Sequence, residues 1–352
     1  MIVHFLEPPS HLRTGGLDVA IRSLERFLLS VGVSVRINPG IERLDASDAP
    51  DVVHFHGLWR PDFLRFSAHC HRRGVPYVVS PHGMLEPWAW RHKLWKKWPW
   101  FHLFERRHLT RASALLTTSE AEARNLAKFL PSARIRAVPL GLTSDKRADY
   151  AAARRTLGWG KSEVVLLFLS RIHPKKGLHT LLRAISGLDP KILPDVRLVV
   201  VGGGERRYVA SLKRLAEKGS MSLPRVEWKG EIWGDEKWTY FQGADLFCLP
   251  SLTENFGLAV LESLQVGTRV MTTDRTPWGV VESWGAGTIV APEEESIRSA
   301  LAEFFASPAD SDARRVALSS EIHERFSWET IGKEYVQFYD DVIKTAREQR
   351  TA

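Results

Sequence analysis

The sequence predicts an α/β protein made of two Rossmann-like domains, each a parallel sheet with helices on both faces. Three observations carry that reading. Short apolar runs alternate with amphipathic helical stretches, the rhythm restarts once midway, and 352 residues with 44% apolar content exceed one ordinary hydrophobic core. In order, Ile2–Leu6 reads as a strand, Thr14-Gly15-Gly16 as the loop after it, and Asp18–Val31 as a helix. Val33–Ile37 and Val52–His56 read as strands, Phe63–Arg73 as a helix, and Tyr77–Ser80 as a short strand. Ala114–Thr118 is a further strand, a Ser-x-x-Glu helix start follows at Ser119, and Ile135–Pro139 closes the first series.

The second series opens with the buried strand Val164–Ser170 and a helix from His179. It continues through Arg197–Val201, a helix over Tyr208–Lys218 and Val226–Lys229. Leu246–Pro250, the helix Gly257–Val266 and Arg269–Thr273 complete it. The polar stretch Thr143–Ala153 reads as the linker, and an amphipathic helix ends the chain. The boundaries drawn from this are 1–150 and 151–327, with helix 328–348 packing back on the first domain.

Composition excludes several classes. Two cysteines, Cys70 and Cys248, make no disulfide framework and no CxxC pair, which suits a reducing compartment. The N-terminus has no basic n-region or long apolar stretch, and no run nears 18 apolar residues, so a cytoplasmic location without signal peptide or spanning helix is expected. The net charge of +8 is uneven: residues 1–158 hold 24 Lys/Arg against 14 Asp/Glu, and residues 159–352 hold 25 against 27. The positive half should face something anionic: nucleic acid, a membrane or a diphosphate-linked substrate.

The chemistry concentrates in Pro250–Asp274, PSLTENFGLAVLESLQVGTRVMTTD. A strand ends at Pro250, a loop carries Glu254 and Asn255, and a helix opens around Phe256-Gly257-Leu258. Its first amides have no intrahelical partner, which makes an anion site, and Gly257 lets a ligand approach the backbone. Glu254 and Glu262 form an E-x7-E pair. Carboxylates on either side of a helix N-terminus suit a ligand with phosphate in the middle and hydroxyls at both ends, the layout of a nucleotide-sugar. Taken singly, each is better explained as a cap-region or solvated acid; with the loop, the glycine and the flanking strands together, that plain reading loses its force.

This stretch resembles the donor signature of the retaining glycosyltransferases of family 4, in the GT-B superfamily, with Asn255 where Gly is commoner. The resemblance runs through nearly the whole chain. It implies two Rossmann-like domains facing across a deep cleft, with Glu254 at the transferred sugar, Glu262 on the ribose, and amides near Phe256–Leu258 on diphosphate or sugar. In Leu169–Gly177, LSRIHPKKG, it matches Arg171 and Lys176 to the cations that neutralise the leaving diphosphate, whereas the residues alone would read as a solvated basic loop. It places Gly15 and Gly16 in a loop over the donor diphosphate, and His82, in Ser80-Pro81-His82-Gly83, near the sugar 6-position. His54 and His56 either line the acceptor cleft or simply pack. Val201-Gly202-Gly203-Gly204-Glu205 is a broken dinucleotide fingerprint, since Arg206 and Arg207 follow it, and the resemblance puts it near the base.

No side-chain set has zinc spacing and no Asp-x-Asp stands at a strand end, so no metal and no cofactor are expected beyond the nucleotide-sugar co-substrate. Residues 88–111, WAWRHKLWKKWPWFHLFERRHLTR, hold five Trp and seven Lys/Arg with Glu105 the only acid. That mixture suits an anionic membrane interface, on the inner face of the cytoplasmic membrane. A pair of helices with core aromatics is the plain alternative, and no nucleic-acid module is present. Pro99 should break or kink a helix here. The expected function is a metal-independent, retaining hexosyl transfer from a UDP- or GDP-sugar to a lipid-linked or glycan acceptor, in lipopolysaccharide or other surface polysaccharide synthesis. Rivals are a nucleotide-sugar epimerase, a phosphorylase, or a basic peripheral adaptor with a degenerate site.

Overall fold

The computed structural model describes residues 1–9, 15–189, 195–218, 225–307 and 309–351. They divide into two units, Met1–Thr143 with Arg325–Ala352, and Ser144–Glu324.

The first unit runs β1 (Ile2–Leu6), α1 (Gly15–Ser30), β2 (Ser34–Ile37), β3 (Val52–His56), α2 (Pro61–Arg73) and β4 (Tyr77–Ser80). Three short helices follow, α3 (Pro87–Arg91), α4 (Leu94–Trp100) and α5 (Arg106–Thr110), with the π-helical turn Phe101–Glu105 between the last two. Then come β5 (Ala114–Thr117), α6 (Glu120–Phe129) and β6 (Ile135–Ala137). Every strand pair is parallel, in the order β2-β1-β3-β4-β5-β6. Parallel strands covered on both faces need near-continuous apolar sequence, and Val52–His56 and Tyr77–Ser80 are buried throughout.

The second unit runs α7 (Tyr150–Leu157), β7 (Val164–Leu169), α8 (Leu178–Ser186), β8 (Val196–Val201), α9 (Arg206–Lys218), β9 (Arg225–Gly230) and α10 (Glu236–Gly243). It continues with β10 (Leu246–Leu249), α11 (Leu258–Gln265), β11 (Val270–Thr273), β12 (Gly287–Val290), α12 (Glu294–Ala306) and α13 (Asp312–Phe326). Its sheet is parallel in the order β12-β11-β10-β7-β8-β9.

The last helix, α14 (Trp328–Thr351), belongs to the first unit. Tyr335, Phe338, Tyr339 and Val342 share one buried cluster with Val3 and Phe5 of β1 and Ile21, Leu24 and Leu28 of α1. Trp328 Nε1 donates to the Leu142 carbonyl at 2.8 Å, so the chain's return is pinned at its entry.

Three expectations change. The linker is shorter than Thr143–Ala153, because Asp149 caps α7 by accepting from the Ala152 amide at 3.3 Å. Gly15 and Gly16 are the first residues of α1 rather than a loop, while Thr14 lies outside the described residues. Helical backbone also continues through Pro99: the missing N–H is absorbed where α-winding gives way to the π-turn Phe101–Glu105.

Candidate functional site

In the second sheet the strand order reverses between β7 and β10, which lie side by side. Ligands of open parallel sheets bind beyond the carboxyl ends of strands at such a reversal. The loop after β7 carries Arg171, which is exposed, and the 3-10 turn Pro174–Lys176. The loop after β10 carries Ser251, Glu254 and Asn255. The Leu252 amide donates to the Lys175 carbonyl at 2.7 Å and ties the two loops together.

Across that tie, Lys176 Nζ reaches Glu254 Oε1 at 2.5 Å, and Ser251 Oγ donates to the same oxygen at 2.6 Å. The two charged side chains are only 12% and 8% exposed. Burial lowers the pKa of neighbouring Lys175, and the adjacent Lys176 cation adds to that. Gly257 takes the left-handed conformation (φ 79°) just before α11 and gives it no side-chain cap, so the first amides of the helix point outward with the positive end of its dipole. Phe256 is held behind them: its carbonyl accepts from Trp278 Nε1 at 2.5 Å, and the two rings meet edge to face. Asn255 is half-buried and Leu258 opens the helix. Further along α11, Glu262 is buried, and its Oε1 meets Lys237 Nζ of α10 at 2.7 Å. Arg171, Lys176, Glu254, Asn255, Phe256, Gly257, Leu258 and Glu262 therefore all lie on the second unit.

The glycines of the broken fingerprint serve packing. A Cβ on Gly202 would fall 1.9 Å from the Ser170 carbonyl oxygen, and one on Gly204 would fall 2.1 Å from that of Ile172. They let the end of β8 lie against the Arg171 loop, where Ile172 and Gly204 form a parallel bridge.

His82, Gly15 and Gly16 lie on the first unit. Among the described residues, nothing stands within 4 Å of the position a Gly16 Cβ would take. His82 and Gly83 have φ of 50° and 74°, and the Met84 amide closes the turn onto the Pro81 carbonyl at 3.1 Å. The Gly83 amide donates to Glu122 Oε1 at 2.6 Å. His82 Nε2 lies 3.1 Å from His56 Nδ1. Burial holds His82 down at about 4 and keeps His54 and His56 well below the usual imidazole range, so all three are neutral near pH 7. The open question over His54 resolves toward packing: it is fully buried, and its ring nitrogens meet Tyr339 Oη at 2.7 Å and Ser80 Oγ at 2.8 Å.

Residues 88–111 are partly buried and partly exposed. Phe101, Glu105, His108 and Leu109 are buried, and Glu105 accepts from Trp100 Nε1 at 2.8 Å and from the Trp59 amide at 3.2 Å. Trp95 (73%), Leu103 (68%) and Trp98 (56%) are instead among the most exposed apolar side chains. Lys97 turns inward, its Nζ on the Ala89 carbonyl at 2.6 Å and over the Trp59 ring. Among the described residues no helix is long and apolar enough to cross a membrane.

Sequence reasoning missed Lys237, Ser251, the His56–His82 contact and Glu122. Lys237 sits on a helix that reading did not identify. Glu122 looked like an ordinary capping glutamate.

The profile described as Glycosyl transferases group 1 matches residues 149–320, and that of the Glycosyl transferase 4-like domain matches residues 2–141. A D-inositol 3-phosphate glycosyltransferase of Mycobacterium avium is 31% identical over 304 residues, covering 82% of this chain and 70% of its own. A GDP-mannose:cellobiosyl-diphosphopolyprenol alpha-mannosyltransferase of Xanthomonas campestris is 27% identical over 311 residues, 87% of this chain and 78% of its own. Among solved structures, sucrose-phosphate synthase of Thermosynechococcus elongatus superposes with a TM-score of 0.77 at 19% identity, covering 98% of this chain and 100% of that one. Anabaena HepE, in complex with UDP and glucose, superposes at 0.73 with 16% identity, over 97% of this chain and 100% of that one. The architecture is that of the GT-B glycosyltransferases.

Proposed function

We propose that this chain, which belongs to the glycosyl transferases group 1 family and is a glycosyltransferase, moves a hexosyl group with retention from a UDP- or GDP-sugar to a lipid-linked glycan acceptor, without a metal. The observation that carries the reading is the nearly buried Lys176–Glu254 pair beside the uncapped start of α11, at the strand reversal of the second sheet. A cation, a carboxylate and the amides of a helix start without a side-chain cap, within one loop cluster, match in turn a diphosphate, sugar hydroxyls and a phosphate oxygen.

In this proposal Arg171 and Lys176 stabilise the charge that develops on the departing diphosphate. Glu254 holds hydroxyls of the transferred sugar, the amides around Asn255, Phe256, Gly257 and Leu258 take diphosphate or sugar oxygens, and Glu262 takes the ribose. The bond from the anomeric carbon to the phosphate oxygen breaks as the acceptor oxygen attacks on the same face, and the released phosphate oxygen accepts the acceptor's proton. Gly15 and Gly16 lie against the donor diphosphate, and His82 contacts the sugar. The Xanthomonas relative's name joins GDP-mannose to a diphosphopolyprenol, and Anabaena HepE holds UDP; both support this donor and acceptor chemistry. The acceptor would be reached from the cytoplasmic face, with Trp95, Trp98, Leu103 and Phe104 at headgroup depth and Lys93, Lys96, Arg106 and Arg107 on anionic lipid.

The test is thermal stabilisation of the purified protein by UDP-, GDP- and ADP-sugars, first in EDTA and then with magnesium. Stabilisation by one nucleotide class in EDTA is expected. No stabilisation by any donor at millimolar concentration would overturn the donor site, and stabilisation only with magnesium would overturn metal independence.

A further inference from the structure

β3 and β4 are neighbours with His56 in register with Ser80, so His56, at the end of β3, stands beside the loop that carries His82. The two rings are nearly parallel, 16° apart, with Nδ1 of His56 3.1 Å from Nε2 of His82. Between two imidazoles a hydrogen bond needs one N–H and one bare nitrogen. His56 is 2% exposed, and its Nε2 is buried without a hydrogen-bond partner among the described residues. Were His82 the donor, neutral His56 would carry its own proton on that Nε2, a buried N–H with nothing to receive it. Were His56 the donor, only a bare lone pair would be left buried, and native structures tolerate unpaired acceptors better than orphaned donors. The second arrangement is favoured.

That choice fixes His82. With Nε2 accepting, a neutral His82 carries its proton on Nδ1. His82 is partly exposed, and no hydrogen bond from the described residues occupies Nδ1. The ring cannot readily swing away from this arrangement. Its residue sits at φ 50°, a region a non-glycine residue occupies only when its surroundings hold it there. The next amide is anchored on the buried Glu122, whose other oxygen accepts from the Thr118 amide at 3.0 Å.

We infer that His56 is a positioning residue for the transfer reaction: its Nδ1–H fixes His82 as the Nδ1–H tautomer, so that His82 offers a hydrogen-bond donor to an oxygen of the bound sugar. This rests on the reading of His82 as a sugar contact given above. Because His56 acts through His82, its effect falls on one donor hydrogen bond and leaves the second unit's donor-binding groups untouched.

The experiment is long-range proton–nitrogen NMR of the full chain labelled at histidine nitrogens, paired with transfer kinetics of His56→Phe, His56→Asn and His82→Ala. The expected wild-type spectrum shows an unprotonated Nε2 and a protonated Nδ1 on His82. His56→Phe should lower kcat/KM on the order of ten-fold, the worth of one hydrogen bond. His56→Asn, whose amide N–H stands where Nδ1–H stood, should recover most of that loss and keep the tautomer. A wild-type His82 protonated on Nε2 overturns the inference, and so does a His56→Asn variant as impaired as His56→Phe. Full activity in His82→Ala would instead remove the sugar-contact reading of His82, a failure the tautomer spectrum tells apart. If His56→Phe does not fold, the wild-type spectrum and the Asn variant still decide.

Discussion

Each of the two units has its own six-stranded parallel sheet, but they bury polar groups in opposite ways. The first buries neutral histidines: His4, His54, His56 and His108 are nearly inaccessible, and apart from Glu7 with Arg22 its buried carboxylates Glu105 and Glu122 are met by N–H and O–H donors rather than cations. The second buries paired charges: Arg154 and Arg315 on Asp245, Arg197 on Glu163 and Glu227, Lys176 on Glu254, and Lys237 on Glu262. Buried ion pairs are weak devices for stability, because desolvation offsets most of their attraction. One of these pairs, Lys176–Glu254, stands beside the start of α11, and another, Lys237–Glu262, lies further along it; incoming phosphate and hydroxyl groups could replace one partner's contacts with their own. On the proposed function, the contrast would separate a unit arranged for the charged donor from one arranged to offer neutral hydrogen bonds.

The largest effect expected is on chemistry. Glu254→Gln and Lys176→Ala should each lower transfer about 10²-fold or more, the usual size for removing a preorganised electrostatic contact. Circular dichroism should be unchanged. Full activity in both would erase the distinction between the units.

Acid should separate the units next. His4 and His82 are held down at about 4 and His108 at about 3, with His54 and His56 also lowered, all chiefly by burial. An unfolded chain protonates these rings near 6.5 while the folded one does not, so their contribution to stability falls as pH drops from 6.5 toward 4. Burial pushes Glu105 and Glu122 up to about 7, and Glu86 is also raised. These folded carboxylates hold protons that the unfolded chain releases above about 4.5, so they act in the opposite sense over the same range. Five lowered histidines against three raised carboxylates leave a net loss of stability in acid. In the second unit His179 and His323 are lowered. Pulse proteolysis with mass-spectrometric mapping from pH 7 to pH 4 should therefore show cuts within 1–143 before cuts within 144–324. The reverse order would contradict the contrast.

A smaller effect belongs to the basic aromatic segment. Replacing Trp95 and Trp98 by Ser, and Lys93 and Lys96 by Gln, should release the protein from anionic vesicles in a flotation assay, each cation contributing ~1 kcal/mol near such a surface. Lys97 is spared because it holds the Ala89 carbonyl. Wild-type protein that never floats with such vesicles at moderate salt would remove the membrane contact. The smallest expected effect is that of Lys237→Met, which should raise the donor KM several-fold, roughly the worth of one charge-assisted contact, with kcat little changed. A KM left unmoved would mean that Glu262 needs no such partner.

The sequence made the sheets legible because buried parallel strands are short apolar runs, as in Val164–Leu169 and Tyr77–Ser80. It made the E-x7-E loop legible because its spacing and Gly257 are local features. Contacts set by strand neighbourhood were out of reach. Glu122 carries the signature of a capping box with Ser119, and Ser119 does cap α6, yet the carboxylate also reaches Gly83, 39 residues away. Lys237 meets Glu262 only because α10 lies beside α11. Pro99 does not break the helix, because a π-turn can absorb the missing donor.

The central claim, that the second unit holds the nucleotide-sugar, is met most directly by photolabelling the full-length protein with 5-azido-UDP-glucose and 8-azido-GDP-mannose and mapping the adducts by mass spectrometry. Label confined to 144–324 and displaced by one unmodified nucleotide-sugar is the predicted result. Specific label confined to 1–143 would contradict it.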